Sequence, residues 1–202
     1  MPETWITSDT HFSHNKILEY DSRPFKNIEE HDEILIQNWN NHIKENDSIY
    51  FLGDFSLCSK EKTLKIFNRL HGKFNGVIRG NHDSGENAFK HKVGWYKDLH
   101  HTKINGQKCT LCHYALLTWP KLSKSWCLHG HSHDGLYDDP NTYRLDIGLD
   151  ATARRQCSVH YTGRIKPEDI SKLKPDSYRP FNFDEIREIM SKKQFIQIDH
   201  HE

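Results

Sequence analysis

A chain of 202 residues, 35% hydrophobic and 28% charged, can bury one substantial core but not the two that a pair of full enzyme domains would need. Its 28 basic and 28 acidic side chains cancel, so the broad basic surface of a protein that grips long nucleic acid is missing and any positive field must be local, as in residues 151–180 with seven Lys or Arg against three Asp or Glu. No apolar run approaches the ~20 residues of a membrane span, and Met-Pro-Glu-Thr-Trp lacks the basic-then-apolar pattern of a secretory leader, so a cytoplasmic location without membrane contact is expected.

In chain order, residues 3–8 read as a strand, followed by a polar loop with Asp9 and His11 and a short helix near 15–20. Ile34, Leu35, Trp39 and Ile43 give the segment from Ile28 to Glu45 the rhythm of an amphipathic helix. A strand at 48–52 precedes a helix that Ser59 can cap and that buries Leu64, Ile66, Phe67 and Leu70. A third strand follows at 74–79. This β-α-β-α-β opening argues for a sheet core flanked by helices. The second half is richer in strands. Residues 96–104 and 107–114 flank Asn105-Gly106, a strong hairpin signal, and 126–128 and 142–147 add two short strands. A strand is expected at 158–165, a helix opens at Pro167, and 184–190 reads as a closing helix.

Cys58, Cys109, Cys112, Cys127 and Cys157 are odd in number and scattered, as free thiols would be. Cys109 and Cys112 have C-x-x-C spacing, but on a strand side chains three apart face opposite ways, which does not suit a shared metal.

Four times, an apolar run ends in polar, metal-friendly residues. Trp5-Ile6-Thr7 leads to Asp9 and His11, and Ile49–Leu52 leads to Gly53-Asp54. Val77-Ile78-Arg79 leads to Gly80-Asn81-His82-Asp83, and Trp126-Cys127-Leu128 leads to Gly130-His131-Ser132-His133. His113 stands near the end of a fifth run. Open sheets build sites in this way, with rigid strands delivering reactive groups to loops at their carboxyl ends. Carboxylate, imidazole and amide without thiolate suit divalent metals working on oxygen chemistry.

The ordered string of these motifs, spanning residues 9–133, resembles the calcineurin-like metallophosphoesterase superfamily. Ser8-Asp9-Thr10-His11-Phe12-Ser13-His14, Arg23-Pro24-Phe25 and Asn38-Trp39-Asn40 are similar to text in its small stand-alone bacterial and phage phosphoesterases. The resemblance implies an α/β fold, a four-layer α/β/β/α sandwich of two mixed sheets flanked by helices, in one domain over 1–202. In those relatives a segment like Gly148-Leu149-Asp150 lies close to one like Tyr178–Phe181. Here 27 residues separate them, so 151–177 is read as an insertion.

The resemblance also implies two divalent ions, manganese first, with iron, nickel, cobalt and zinc as alternatives. Asp9, His11 and His133 match the ligands of one ion, and Asn81, His113 and His131 those of the other. Asp54 matches the bridge, with each carboxylate oxygen expected to serve one ion. A metal-bridged hydroxide would attack a nucleotide-like phosphodiester. His82 would supply the leaving oxygen's proton, with Asp83 orienting its ring. His14, Arg23 and Arg79 are candidate substrate contacts, and Asn15 a further one. Tyr20, Phe55 and Tyr114 are candidates to stack on a base, although each also suits core packing. Rival readings are a DNA or RNA nuclease, a phosphomonoesterase or pyrophosphatase of the same fold, and a non-catalytic metal-binding interaction scaffold. Oligomeric state is left open.

Overall fold

The computed structural model describes residues 1–83, 88–159 and 165–198. The first half contains β1 (Thr4–Thr7), α1 (Ile17–Tyr20), α2 (Ile28–His42), β2 (Ser48–Phe51), α3 (Lys60–Phe67) and β3 (Lys73–Ile78). Then come β4 (Tyr96–Lys97), β5 (Leu99–Ile104), β6 (Gln107–Cys112), β7 (Ser125–His129) and β8 (Arg144–Asp146). The last described segments are α4 (Leu149–Gln156), α5 (Pro167–Ile170), β9 (Phe181–Asn182) and α6 (Phe183–Ser191).

Two mixed sheets flanked by helices result. The first has the order β4-β3-β2-β1-β9, parallel except for β9, which runs antiparallel to β1. Parallel neighbours need long crossovers, and α2 and α3 supply them. The second sheet has the order β5-β6-β7-β8, with β5 and β6 antiparallel and the rest parallel. The β5–β6 turn is the expected Asn105-Gly106 pair, with φ of 46° and 85°, which matches a turn needing left-handed backbone at both central positions.

Alternation along β1 and β2 explains the stacking, and in β3 a bulge, with Ile49 opposite Phe74 but Tyr50 opposite Gly76, brings Phe74 and Val77 to one face. Trp5, Ile49, Phe51, Phe74 and Val77 pack with Leu35, Ile36 and Trp39 of α2 and Ile66 and Phe67 of α3. Within that core Trp39 stacks on Phe74, with ring centroids 5.7 Å apart. Ile6, Leu52 and Ile78 instead meet Leu111, Leu128 and Leu145 of the second sheet, joined by Phe183, Ile186 and Met190 of α6. Trp119, Leu122 and Phe195 cluster with Cys127 on the other side of β7. Three Asn or Ser side chains cap the main helices: Asn27 accepts from Glu30 N, Ser59 from Lys62 N, and Asn182 forms a capping box with Glu185. Among the described residues no helix is long and apolar enough to cross a membrane.

Three expectations change. The run 96–104 is two strands in different sheets, with β4 beside β3 and β5 opening the second sheet. Between them Asp98 turns away to pair with Arg79 at 2.7 Å. The strand expected at 158–165 falls largely on residues 160–164, outside the described ones. Its first residues belong to the end of α4 instead: Ser158 is left-handed and Val159 N donates to Arg154 O. Helix α4 itself lies where no helix was expected, with Leu149 and Ala153 in one core and Ala151 in the other. Asn38, from the Asn-Trp-Asn text, anchors residues 175–178 by donating to Pro175 O and Tyr178 O.

Candidate active site

The ligand candidates sit where the parallel strands end, and their backbone is unusual. Asp9, His11, Asp54, His131 and His133 all have positive φ, between 47° and 67°. Non-glycine residues are uncommon there and need a surrounding structure that over-determines them. Backbone bonds between the loops do this: Asp9 N donates to Gly53 O, His11 N to Asp54 O, and Gly130 N to His113 O. Glycines permit the approach. A Cβ on Gly80 would stand 2.1 Å from Asp54 Oδ1, and one on Gly130 would stand 2.4 Å from Asp9 Oδ2. Gly80→Ala is therefore expected to destabilise the fold by about 1–3 kcal/mol and to weaken metal binding, read by denaturant unfolding and metal titration. Unchanged values for both would show that the loops are looser than drawn.

All seven ligand candidates come together. Asp9 Oδ1 lies 3.9 Å from both His11 Nε2 and His133 Nε2. On the other side Asn81 Oδ1 lies 3.0 Å from His113 Nε2 and 2.9 Å from His131 Nδ1. Between them, Asp54 Oδ2 is 3.6 Å from His11 Nε2 and 3.4 Å from His113 Nε2. One oxygen thus faces both groups, whereas one oxygen per group was expected. The reason is local: Asp54 Oδ1 already accepts the backbone N–H of His82 at 2.8 Å. Two buried polar atoms at this point, Asp9 Oδ1 and His11 Nε2, have no hydrogen-bond partner. Buried polar atoms left unpaired are costly, and a cation held among these donors would satisfy both. The residues present therefore fit divalent ions.

Behind the ligands is a buried polar chain that aims them. His133 Nδ1 donates to Asp150 Oδ2 at 2.8 Å, with Asp21 Oδ2 at 3.1 Å, leaving Nε2 turned to Asp9. Asp150 is gripped in turn by Arg23 through Nε and Nη2. Arg23 also donates to the carbonyls of Asp9 and Thr10 and meets His31, which meets Asp32, which holds Ser13. His113 Nδ1 donates to Leu52 O, and Asp9 Oδ2 accepts from Ser8 Oγ and His131 N. Such partners set the orientation and basicity of metal ligands.

A family model for calcineurin-like phosphoesterases matches residues 3–190. The chain belongs to the calcineurin-like phosphoesterase family. It is 37% identical over 141 residues to an uncharacterised protein of Methanocaldococcus jannaschii, an alignment covering 69% of this chain and 74% of the other. It is 32% identical over 101 residues to the Gene 66 protein of Mycobacterium phage L5, covering 48% of each. Among solved structures, a protein of unknown function from Aquifex aeolicus, AQ665, superposes with a TM-score of 0.59 at 21% identity, covering 94% of this chain and 100% of that one. That likeness supports the fold alone.

In this phosphoesterase the remaining candidate residues divide sharply. His82 is 42% exposed at the mouth of the cluster, its Nε2 4.0 Å from Asp54 Oδ2 and its ring edge-on to His11. Among the described residues Asp83 makes no hydrogen bond to that ring. Its carboxylate accepts the backbone N–H groups of Gly80, Asp54 and Phe55, so it ties two ligand loops together instead of orienting His82. Arg23 is likewise corrected: its guanidinium is buried and fully engaged, a brace with no face for substrate. Arg79 pairs with Asp98 at the surface. His14 lies beside the cluster, its Nδ1 3.4 Å from His11 Nδ1 and its ring 5.9 Å from that of His82. Phe55 is core, but Tyr20 and Tyr114 are 62% and 48% exposed, the first near His14 and the second edge-on to His131.

Electrostatics give the calcineurin-like site a pH signature. Burial pushes Asp9 up to about 7. Burial opposes charge on His133, but Asp150 and the charges of Asp9 and Asp21 outweigh it and raise the imidazole to about 10. Burial likewise opposes charge on His113, which Asp54 and Asp9 raise to about 9. Ligation needs neutral imidazoles and an ionised carboxylate, so these protons compete with metal. Affinity is expected to rise with pH between about 6 and 9, with release of more than one proton at pH 7, measured by calorimetry in buffers of different ionisation enthalpy. In the metal-free protein the stabilisation from the two raised histidines is full below pH 6.5 and is lost as pH rises through 9 to 10.

Proposed function

We propose that this phosphoesterase hydrolyses a phosphodiester of nucleotide-like character with the help of two divalent ions, manganese foremost. The observation that carries the reading is Asp54 Oδ2 facing both ligand groups while Asp9 Oδ1 and His11 Nε2 lack partners. Asp9, His11 and His133 would hold one ion, Asn81, His113 and His131 the other, and Asp54 both. When bound, two such ions supply an activated water and shield the phosphoryl oxygens. The chain's own part is to place, orient and protonate. The hydrogen bond from His82 N to Asp54 Oδ1 fixes the His82 backbone at the cluster, leaving its ring free to donate to a phosphoryl or leaving oxygen. The exposed rings of Tyr20 and Tyr114 beside the cluster support a leaving group with an aromatic face.

The test strips the protein of metal, restores Mn2+ and compares bis-p-nitrophenyl phosphate with p-nitrophenyl phosphate. Diester turnover is expected to dominate and to fall by about 10²–10⁴-fold in His82→Ala, with metal stoichiometry unchanged. A preference for the monoester would overturn the diester reading. Tight metal binding without turnover of either ester would favour an interaction scaffold.

A further inference from the structure

A second charged feature lies away from the metal-ligand candidates. From Leu99 to His133 the chain contains no Asp or Glu, yet it carries Lys103, Lys108, Lys121 and Lys124. The fold concentrates them. Lys103 and Lys108 are directly opposite each other in the β5–β6 ladder, a like-charge pairing that destabilises a sheet. Lys121 joins them from the turn before β7, where it holds a left-handed φ of 61°. That turn is pinned by Ser125 Oγ, which donates to the carbonyls of Pro120 and Lys121 and accepts from Trp119 Nε1.

The three lysines line a cleft of about 390 Å³ together with His101, Thr110 and Ser125, and among the described residues no carboxylate lines it. Lys121, by its charge and then by direct side-chain contact, holds the Lys108 ammonium below the ordinary lysine value, and Lys103 and Lys124 push the same way. A rigid hairpin and a strained, braced turn thus bring like charges together, an arrangement that a bound anion would relieve. Lys108 is the second residue of β6 and His113 follows the strand's end, five residues on, so the cleft and the metal-ligand candidates are about 17 Å apart along one strand.

We propose that this cleft is a binding site for a phosphate-type oxyanion, separate from the phosphoryl group that the metal centre attacks, with the ammonium groups of Lys103, Lys108 and Lys121 as its donors. Lysine suits the role because it meets phosphate as a compact point charge without a fixed fork. The ligand is either a free phosphate-bearing molecule or the backbone of a single nucleic-acid strand, and the same experiment separates the two.

Protein loaded with Mg2+ is titrated with inorganic phosphate and, separately, with a thymidine oligonucleotide of about twelve residues. The amide resonances of Lys103, Lys108, Thr110 and Lys121 are followed in each titration. Saturable shifts are expected, with affinity falling at least tenfold in the Lys108→Gln/Lys121→Gln double variant. The charge-matched Lys62→Gln/Lys65→Gln variant on α3 should bind as the parent does. Saturation by phosphate alone assigns the cleft to a free ligand. Saturation by the oligonucleotide, with phosphate at least tenfold weaker, assigns it to a strand, and the salt slope should fall by about 0.7 for each lysine lost. No shift with either probe, or equal weakening in the two double variants, overturns the site. Loss of hydrolysis is not the readout, so failure here leaves the hydrolytic reading intact, and the converse holds.

Discussion

Asp54→Asn is expected to lower metal-dependent hydrolysis by about 10²–10³-fold, the range seen when one preorganised electrostatic group is removed. Asp54 Oδ1 must keep accepting the N–H of His82, so the single carbonyl oxygen of Asn takes that position and its amide NH2 turns toward both ligand groups. A neutral donor then stands where a shared anionic oxygen stood, and each of the two proposed ions would lose a ligand and gain a repulsive neighbour. Metal stoichiometry and circular dichroism separate the outcomes. Folded protein with reduced metal content is expected, whereas full occupancy with normal turnover would sink the role of Oδ2 as the shared atom.

Asp150→Ala should be the most destabilising single change around the site. Arg23 and Asp150 form a bidentate pair, both buried, with bonds of 3.1 and 2.7 Å. Removing one partner of such a pair costs about 3–5 kcal/mol because the other charge is left without compensation. For a chain of this length that corresponds to a Tm lower by roughly 6–20 °C. His133 would also lose the acceptor that orients it, weakening metal binding by about 10–100-fold. The double variant Arg23→Met/Asp150→Leu separates the two effects. It should recover most of the stability, since an apolar pair of similar volume can replace a buried ion pair, but not the metal affinity. Recovery of both would show that Asp21, 3.1 Å from His133 Nδ1, orients that ring without Asp150.

The ligand candidates, which the fold brings together, were legible as a set because each stands at or near the end of a short apolar run, a local pattern. The chain that aims them was not. Asp150 lies 127 residues from Arg23, Asp21 follows a short helix and Asp32 sits within the amphipathic α2, so only the fold decides what each carboxylate meets. Arg23 does stand in the conspicuous text Arg-Pro-Phe, but a lone arginine reads equally as a phosphate fork and as a buried brace. For Asp83 the partners differ from the one expected. Proximity in sequence suggested the neighbouring ring, whereas its carboxylate reaches three backbone N–H groups, two of them 28 and 29 residues away. The division of 96–104 between two sheets was also hidden, because both halves have the same strand-forming character and nothing local records a change of partner.

The place of β9 has a consequence for the order in which the protein can be made. Of the described strands β1 is the earliest in the chain, and it lies between β2 and β9, which ends only at Asn182. Until then Trp5 and Ile6 have an open edge beside them, and the Arg23 guanidinium waits for Asp150. Nascent chains released before residue 150 would thus carry Asp9, His11, Asp54 and Asn81 with no brace for His133, and those released before residue 182 would carry an unpaired strand edge prone to joining another chain. Competence for metal is in this sense a late event of synthesis, although most of its ligands are early residues.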